Sequence, residues 1–401
     1  MTFDDIQARE SRHVLQTYRR QPVAFVRGAG ARLYDVEGRE YLDLVSGIGV
    51  ASLGHAHPGL AAAIADQAST LLHTSNLYYH PFQADAAARL TALSGLPRAF
   101  FCNSGTEAVE ACLKFARRFW YTQGTPRAAY VAVTNSFSGR TFGALSTTWD
   151  EHYRTPFMPL IGPVTWAEFD RPETLAAAVT SQTAAIIAEP IQGEGGIRPM
   201  PPAFAQAIAD ACRRTGALYI ADEVQCGLGR TGYSFHFQAL GLQPDLVSVG
   251  KALGAGVPVG AALVSDRVAG AISPGDHGST YGGNLLACRA AAFFLQQLTE
   301  HGLLDHVTEV GATFERALRT LALRHPAIIE VRGAGLMWGL QLATDATPYV
   351  DAARQRGLLV NRTHETVVRM LPPLTIEAAD LGRAVDLLDE VFASVPAEVH
   401  A

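Results

Sequence analysis

The chain has 401 residues, and 48% of them are hydrophobic, which is enough to bury a large core in more than one packed unit. A net charge of -6 without a basic tract argues against a nucleic-acid or membrane-surface protein, and no apolar stretch is long enough to span a membrane. Five scattered cysteines with no CxxC pair indicate a reducing, cytoplasmic compartment.

In chain order, the first predicted elements are two short alternating strands within residues 25–44. The middle of the chain alternates short apolar runs with helical patterns. We predict buried strands at 99–102, 128–133, 184–188, 218–221 and 246–249, and helices that include 107–118 and 202–215. Buried strands that alternate with helices predict an α/β fold with a mostly parallel sheet flanked by helices.

The two ends of the chain differ from its middle. After about residue 290, long helical patterns precede further short strands. We therefore assign residues 46–290 to a large domain, and residues 1–45 and 291–401 to a smaller α+β domain built from both termini.

Polar side chains follow the predicted strands at the points where the strands end. They are Asn103, Asn135, Glu189, Asp222 and, just beyond a strand, Lys251. In open α/β sheets, ligands bind outside the carboxyl ends of the strands. We therefore expect these side chains to lie around one site.

The segment NSGTE at 103–107 follows a strand and opens a helix. Ser104 and Glu107 have the spacing of a capping box. With Gly105 in the first turn, the free N–H groups and the dipole of the helix start suit a phosphate. An ordinary helix cap explains the same pattern.

Asp222 and Lys251 are the candidates for catalysis. A carboxylate at the end of the strand LYIAD could hold a protonated ring nitrogen or serve as a structural cap. Lys251 follows the apolar run LVSV, where a lysine is costly unless it is exposed, paired or functional. A desolvated lysine can lose its proton and attack an aldehyde, whereas a lysine that reaches solvent from the strand end is the structural alternative.

Three further motifs predict no site. His55 and His57 form an HxH without other ligands at metal-binding spacing, so we predict no metal site. The GLGRTG at 227–232 matches GxGxxG, but it is separated from the strand before it and no clear helix follows. Gly250 and Lys251 lack the other residues of a P-loop.

Eleven segments, in order, give a resemblance that covers nearly the whole chain. They are SGIGV, LGHAHP, SNLYY, NSGTEAVEA, FSGRTFGALS, EPIQGEGG, DEVQCGLGRTG, GKALGAGVPVGA, DHGSTYGGN, VRGAGLMWG and VRMLPP. On these segments the chain resembles the class III pyridoxal-phosphate aminotransferases, and within them the subgroup that acts on acetylornithine. The resemblance implies a fold-type I PLP-dependent transferase with pyridoxal 5'-phosphate (PLP) as its cofactor.

The resemblance gives roles to the two catalytic candidates. Lys251 resembles the lysine that binds PLP as a Schiff base and then moves a proton between the substrate carbon and the cofactor. Asp222 resembles the carboxylate that keeps the pyridine nitrogen protonated, so that the ring works as an electron sink. Glu223 and Val224 continue this cofactor-binding segment, and Gln225 would lie near the ring oxygen.

Other segments would complete the cofactor site. The resemblance implies that the backbone N–H groups of Gly105 and Thr106 hold the phosphate and that Phe137 stacks on the ring. Thr280 resembles a residue that reaches the phosphate from the partner subunit, and Ser279 beside it would lie near the substrate. A homodimer with shared active sites is implied by this match.

Two arginines and one glutamate form the implied substrate site. Arg140, in FSGR, would bind a substrate carboxylate, for which the planar guanidinium offers a two-pronged grip. Arg369, in VRMLPP, would bind the α-carboxylate of glutamate. Glu189 would pair with Arg369 when that carboxylate is absent, so that one site accepts two unlike substrates in turn.

The chain departs from the family pattern at two positions. The family usually has histidine where Ser138 stands and asparagine where Val109 stands, so different packing behind the cofactor ring is expected. Ile48, in SGIGV, matches the acetylornithine type, whereas the ornithine type usually has tyrosine there.

The implied reaction moves the terminal amino group of N2-acetylornithine to 2-oxoglutarate in two half-reactions, as a step of arginine biosynthesis. The first alternative is another ω-amine donor, such as succinylornithine, ornithine, 4-aminobutyrate or a carrier-bound lysine precursor. Racemisation or decarboxylation would leave a switchable carboxylate site without a clear use. The intact set of Lys251, Asp222 and Arg140 argues against a non-catalytic binding protein.

Overall fold

The computed structural model describes residues 1–395. The strands are β1 Phe25–Ala29, β2 Arg32–Asp35, β3 Glu40–Asp43, β4 Arg98–Cys102, β5 Ala129–Val133, β6 Val164–Ala167, β7 Thr183–Ala188, β8 Ile191–Gln192, β9 Arg198–Pro199, β10 Leu218–Asp222, β11 Leu246–Val249, β12 Gly260–Val264, β13 Ile328–Ala334, β14 Met337–Leu342, β15 Leu358–Leu359, β16 Asn361–Thr363 and β17 Val367–Met370.

The helices alternate with these strands through the middle of the chain. They are α1 Phe3–His13, α2 Ser46–Gly49, α3 Pro58–Thr70, α4 Pro81–Ser94, α5 Gly105–Thr122, α6 Phe142–Ser146, α7 Glu151–Arg154, α8 Pro172–Ala178, α9 Pro202–Thr215, α10 His236–Ala239, α11 Asp266–Ala269, α12 Leu285–Glu300, α13 Leu303–Arg324, α14 Thr347–Gln355 and α15 Ala378–Ser394. Short 3-10 turns lie at Thr155–Phe157 and Lys251–Gly254.

A seven-stranded sheet forms the centre of the fold, in the order β4-β12-β11-β10-β7-β5-β6. β12 runs antiparallel to both of its neighbours, and the other pairs are parallel. The predicted α/β fold with a mostly parallel sheet is confirmed, and the five predicted strands are all present. Because β4, β5, β7, β10 and β11 point the same way, their carboxyl ends meet at one edge of the sheet.

The sequence did not predict two strands of this sheet, β6 and β12. β6 is an edge strand with partly exposed residues, so it lacks a continuous apolar run. β12 has the sequence GAALV and passes very close to the start of α5. A Cβ atom at Gly260 would lie 2.3 Å from the carbonyl oxygen of Ser104. The glycine that this close approach requires makes the strand hard to recognise from sequence.

Helix α5 covers one face of the sheet and begins at the edge where the strands end. Its buried face includes Ala108, Val109 and Cys112, and it contacts β11 and β12. Ser104 caps the helix, since its Oγ accepts a hydrogen bond from the N–H of Glu107 at 3.3 Å. The helix start is thereby fixed beside the ends of the central strands.

A second sheet joins the two ends of the chain. β1, β2 and β3 are antiparallel, and β15 pairs in parallel with β3 through Leu42 and Leu358. Three strands therefore lie where the sequence predicted two. The domain division at 45/46 and 290/291 stays a prediction, and α12 crosses the second of these boundaries. Among residues 1–395, every helix is too short or too polar to span a bilayer.

Candidate active site

Lys251 lies just beyond the end of β11, in the centre of the sheet. It begins a 3-10 turn with a φ of 38°, a left-handed conformation that is uncommon for a residue with a side chain. The residue as a whole is only half-buried, but its amine is enclosed by the protein, and this desolvation lowers the pKa of Lys251. A lowered pKa favours the neutral amine, which is the form that attacks an aldehyde.

Asp222 ends the neighbouring strand β10, and its carboxylate is buried. Its Oδ1 accepts hydrogen bonds from the N–H of Val224 at 3.2 Å and from the Ser248 hydroxyl at 3.0 Å. Within residues 1–395, the second oxygen, Oδ2, receives no hydrogen bond. Burial raises the pKa of Asp222, so a cationic partner such as a protonated ring nitrogen would stabilise the charged form.

Glu223 follows Asp222, but its carboxylate supports the protein rather than the site. Its Oε1 accepts a hydrogen bond from the N–H of Phe237 at 2.7 Å, and its Oε2 accepts one from the Cys226 thiol at 3.3 Å. Burial raises the pKa of Glu223 to about 7. The side chain thus anchors the loop that follows β10.

The start of α5 offers two free backbone donors. In the part of the chain that the structure describes, the N–H groups of Gly105 and Thr106 have no acceptor, whereas the next N–H, of Glu107, is capped by Ser104. Glu107 also accepts a hydrogen bond from the N–H of Asn103 at 2.7 Å. A helix start with free N–H groups is a ready site for a phosphate.

Phe137 and Arg140 lie in the loop that follows β5. The N–H of Phe137 donates to Oε2 of Glu189 at 3.2 Å, and Oε1 of Glu189 accepts the N–H of Gly193 at 3.1 Å. Burial raises the pKa of Glu189. Arg140 is exposed, and its guanidinium lies 3.6 Å from the centre of the Tyr153 ring. The loop therefore carries a half-buried aromatic ring and an exposed cation.

Arg369 pairs with Glu194, and the predicted pair of Arg369 with Glu189 is wrong. Nη1 of the buried Arg369 lies 2.6 Å from Oε1 of Glu194. Gln225 joins the pair, because its Oε1 accepts from the same Nη1 at 3.2 Å and its Nε2 donates to Glu194 at 3.4 Å. Burial alone would raise the pKa of Glu194, but the attraction of Arg369 holds it below its ordinary value.

Both glutamates lie in the segment EPIQGEGG, and the reason for the error is geometric. The strand-end pattern favours Glu189 because it directly follows β7. In the structure, both oxygens of Glu189 are already used by backbone N–H groups. The short strand β8 and the turn after it carry the chain on to Glu194. The sequence feature that could have indicated Glu194 is that it is a second carboxylate in the same segment and lies in a glycine-rich turn.

Ser279 is tied to the site, and Thr280 lies on the surface. The Oγ of Ser279 accepts hydrogen bonds from Nδ2 of Asn103 at 3.2 Å and from the N–H of Gly282 at 2.9 Å. Thr280 is exposed. Contact of Thr280 with a cofactor in a second subunit stays a prediction.

The two departures from the family pattern are accommodated without an unpaired group. Ser138 is buried, its hydroxyl donates to the carbonyl of Thr147 at 3.3 Å, and its N–H donates to the Thr148 hydroxyl at 3.0 Å. Val109 is fully buried in the apolar layer between α5 and the sheet. Both side chains are therefore packed inside the protein at these two positions.

These residues fit the chemical groups of PLP. The amine of Lys251 suits its aldehyde, the carboxylate of Asp222 suits its ring nitrogen, and the start of α5 suits its phosphate. All three lie at the same edge of the sheet, where the strands end.

Similarity to known proteins extends over nearly the whole chain. The model of the family Aminotransferase class-III matches residues 14–392. The acetylornithine aminotransferase of Archaeoglobus fulgidus is 44% identical over 380 residues, which cover 95% of this chain and 98% of the relative. The ornithine aminotransferase of Toxoplasma gondii ME49 has a similar structure, with a TM-score of 0.94, 33% identity, and coverage of 98% of this chain and 96% of that one.

A solved structure with bound cofactor is also similar. It is an amine transaminase from an uncultivated Pseudomonas species in a PLP-bound form, with a TM-score of 0.87, 30% identity, and coverage of 95% of this chain and 96% of that one. The chain therefore belongs to the class III aminotransferases, and it is a PLP-dependent enzyme.

Proposed function

We propose that this enzyme transfers the terminal amino group of N2-acetylornithine to 2-oxoglutarate, which gives N-acetylglutamate semialdehyde and glutamate. Its similarity to acetylornithine aminotransferases, such as that of Archaeoglobus fulgidus, supports this substrate. Ile48, in place of the tyrosine of the ornithine type, also supports it. The observation that carries the proposal is the unlike surroundings of two arginines, Arg140 exposed and Arg369 buried with Glu194.

The two substrates differ in where their carboxylates lie. Acetylornithine has its carboxylate far from the reacting carbon, whereas glutamate has one distal carboxylate and one adjacent to that carbon. Arg140 would bind the distal carboxylate of both substrates. The Arg369–Glu194 pair would stay closed beside acetylornithine, and the α-carboxylate of glutamate would replace Glu194 on Arg369.

Glu194 is better suited to this exchange than Glu189. The Glu194 side chain keeps 36% of its surface exposed, so its carboxylate can turn toward solvent when a substrate displaces it. Glu189 is buried and bound to two backbone N–H groups, so moving it would leave those donors unpaired. We therefore assign the exchangeable partner to Glu194 and give Glu189 the task of fixing the loop of Phe137.

Bound PLP supplies an electron sink for the bonds that change at the reacting carbon. Lys251 would hold the cofactor covalently and, once released, carry the proton to and from the substrate carbon. Its lowered pKa favours the neutral amine, which is the form that can accept a proton. Asp222 would hold a proton on the ring nitrogen, and the N–H groups of Gly105 and Thr106 would bind the phosphate.

We also propose a homodimer in which Thr280 of each subunit reaches the phosphate of the other site. Asn76, in the segment SNLYY, links this segment to the one around Thr280, since its Nδ2 donates to the carbonyl of Ser279 at 3.0 Å. Tyr79 and Tyr281, in these same two segments, are strongly exposed. Large exposed apolar side chains are typical of a protein interface.

The five cysteines are free thiols, which supports the proposed cytoplasmic location.

The test of the proposed substrate is a comparison of donors. Initial rates would be measured for acetylornithine, succinylornithine, ornithine and 4-aminobutyrate with 2-oxoglutarate as acceptor. We expect kcat/KM for acetylornithine to exceed that for ornithine and for 4-aminobutyrate by about tenfold or more, because they present a free amino group or a different carboxylate position. A higher kcat/KM for any other donor would favour that ω-amine instead.

A further inference from the structure

We propose that Glu110 is a positioning residue for Arg140, and that it thereby sets the preference of the enzyme for a donor with a distal carboxylate. The inference rests on the proposed role of Arg140 as the carboxylate-binding residue. It adds a residue on α5, one turn beyond the part of the helix that faces the phosphate.

Glu110 caps a second helix from outside that helix. Its Oε1 accepts hydrogen bonds from the N–H of Gly143 at 2.7 Å and from the N–H of Ala144 at 3.2 Å. These N–H groups belong to the first turn of α6, which follows directly on Arg140 and Thr141. The side chain of Thr141, at the N-cap position, makes no capping bond of its own. The carboxylate of Glu110 therefore supplies the cap of α6.

Thr106 holds the other side of Arg140 from the same face of α5. Its Oγ accepts hydrogen bonds from the N–H of Arg140 at 3.2 Å and from the N–H of Thr141 at 3.4 Å. Residues four apart on a helix lie one above the other, so Thr106 and Glu110 form two successive anchors. The backbone of Arg140 is thus fixed on one side by Thr106 and on the other by Glu110.

Two glycines let this segment lie directly on α5. A Cβ atom at Gly139 would be 2.3 Å from Oγ of Thr106, and one at Gly143 would be 2.1 Å from a carboxylate oxygen of Glu110. Gly139 also has a φ of 137°. The segment from 139 to 143 therefore contacts Thr106 and Glu110 through a glycine at each of its ends. These two close contacts leave the backbone between them little conformational freedom.

The side chain of Arg140 has few other constraints. Among residues 1–395, no carboxylate forms a salt bridge with its guanidinium, which lies over the rings of Tyr153 at 3.6 Å and Phe137 at 5.6 Å. Stacking on a ring constrains the distance of the guanidinium from the ring plane more than it constrains the direction in which the guanidinium points. The backbone position, which the two anchors on α5 hold, therefore determines where the side chain starts and which directions its guanidinium can reach.

The experiment compares two donors that differ in one group. N2-acetylornithine carries the distal carboxylate, and N-acetyl-1,4-diaminobutane is the same molecule without it. Kinetics would be measured for the wild-type holoenzyme and for Glu110→Ala, Glu110→Gln, Arg140→Ala and the double variant of Ala at both positions. Asp35→Asn is the matched control, because Asp35 also accepts two backbone N–H groups, at 3.0 and 2.9 Å, but lies in the N-terminal sheet.

We expect Glu110→Ala to raise KM for acetylornithine by about tenfold and to change kcat by less than about twofold. The reason is that the charged hydrogen bond from Arg140 to the distal carboxylate of the substrate is weakened rather than removed. The kcat/KM for N-acetyl-1,4-diaminobutane should stay within about twofold of wild type. Glu110→Gln keeps one acceptor oxygen and should show about a threefold rise in KM, which covers the case in which the alanine variant is unstable. Asp35→Asn should not change the ratio of the two donors.

A binding measurement without turnover gives a second readout. N2-acetylnorvaline has the distal carboxylate and no terminal amine, so it binds without reacting. Its Kd, from calorimetry on the holoenzyme, should rise about tenfold in Glu110→Ala, and the double variant should bind no more weakly than Arg140→Ala alone.

Two results would overturn the inference in different ways. If Glu110→Ala lowers kcat/KM for both donors equally, Glu110 has only a general structural role, and the proposed function stands. If wild type and Arg140→Ala distinguish the two donors to the same extent, the proposed role of Arg140 fails, and the inference fails with it.

Discussion

Replacement of Glu194 by glutamine should shift the balance between the two half-reactions. With the carboxylate removed, Arg369 would be buried without its charged partner whenever acetylornithine occupies the site. Glutamate would bind more easily, because its α-carboxylate would no longer have to displace Glu194. We expect the acetylornithine half-reaction to slow relative to the glutamate half-reaction.

The size of this shift follows from the burial of the pair. Loss of one partner of a fully desolvated charge pair costs about 2–5 kcal/mol. Arg369 is 1% exposed, but Glu194 is 36% exposed, and Gln225 still accepts from Arg369. Because the pair is only partly desolvated and one acceptor remains, the expected cost lies below this range, at about 1–2 kcal/mol. That free energy corresponds to a change of about 5- to 30-fold in the ratio of the two half-reactions.

The assay is single-turnover absorbance of the cofactor, with each substrate supplied alone. Glu189→Gln is the matched control, because it makes the same chemical change in the same segment without touching Arg369. Its effect should fall on both half-reactions, with a change of less than about twofold in their ratio. A larger ratio change in Glu189→Gln than in Glu194→Gln would refute the assignment of the pair.

The remaining predictions concern the cofactor. Lys251→Ala should abolish turnover, and borohydride reduction of the wild-type holoenzyme should label only the peptide that contains Lys251; a label on another lysine would contradict this. Asp222→Asn should retain PLP yet slow the reaction by orders of magnitude, whereas a loss below tenfold, about 1.4 kcal/mol, would remove Asp222 from the ring nitrogen. Burial lowers the pKa of Lys251, so the rate at which cofactor-free enzyme binds PLP should rise with pH. The rate should reach half its maximum at a pH below 10.5, which is the ordinary pKa of lysine. A midpoint at or above pH 10.5 would contradict an enclosed amine.

Much of the site could be predicted from sequence, because its residues stand at the ends of apolar strands. Asp222 and Lys251 end or follow buried runs, and in a parallel sheet such ends meet at one edge. The helix start at Gly105 was equally visible, since a capping pattern marks where a helix begins. These features depend on residues close together in the chain.

The pairing of Arg369 with Glu194 could not be predicted in the same way. It depends on how the turn after β8 and the strand β17 approach each other in space, and the two residues are far apart in sequence. The strand-end pattern favoured Glu189, whose carboxylate is used by backbone N–H groups that no sequence pattern indicates. The role of Glu110 as the cap of α6 is hidden for the same reason, since its partners follow a different strand.

In the proposed reaction, the terminal nitrogen of acetylornithine passes to 2-oxoglutarate. This transfer is tested most directly with acetylornithine that carries nitrogen-15 only at the terminal amine, incubated with the enzyme and unlabelled 2-oxoglutarate. Mass spectrometry should show that the amount of nitrogen-15-labelled glutamate equals the amount of semialdehyde produced. Unlabelled glutamate, or no glutamate at all while acetylornithine is consumed, would contradict the proposed reaction.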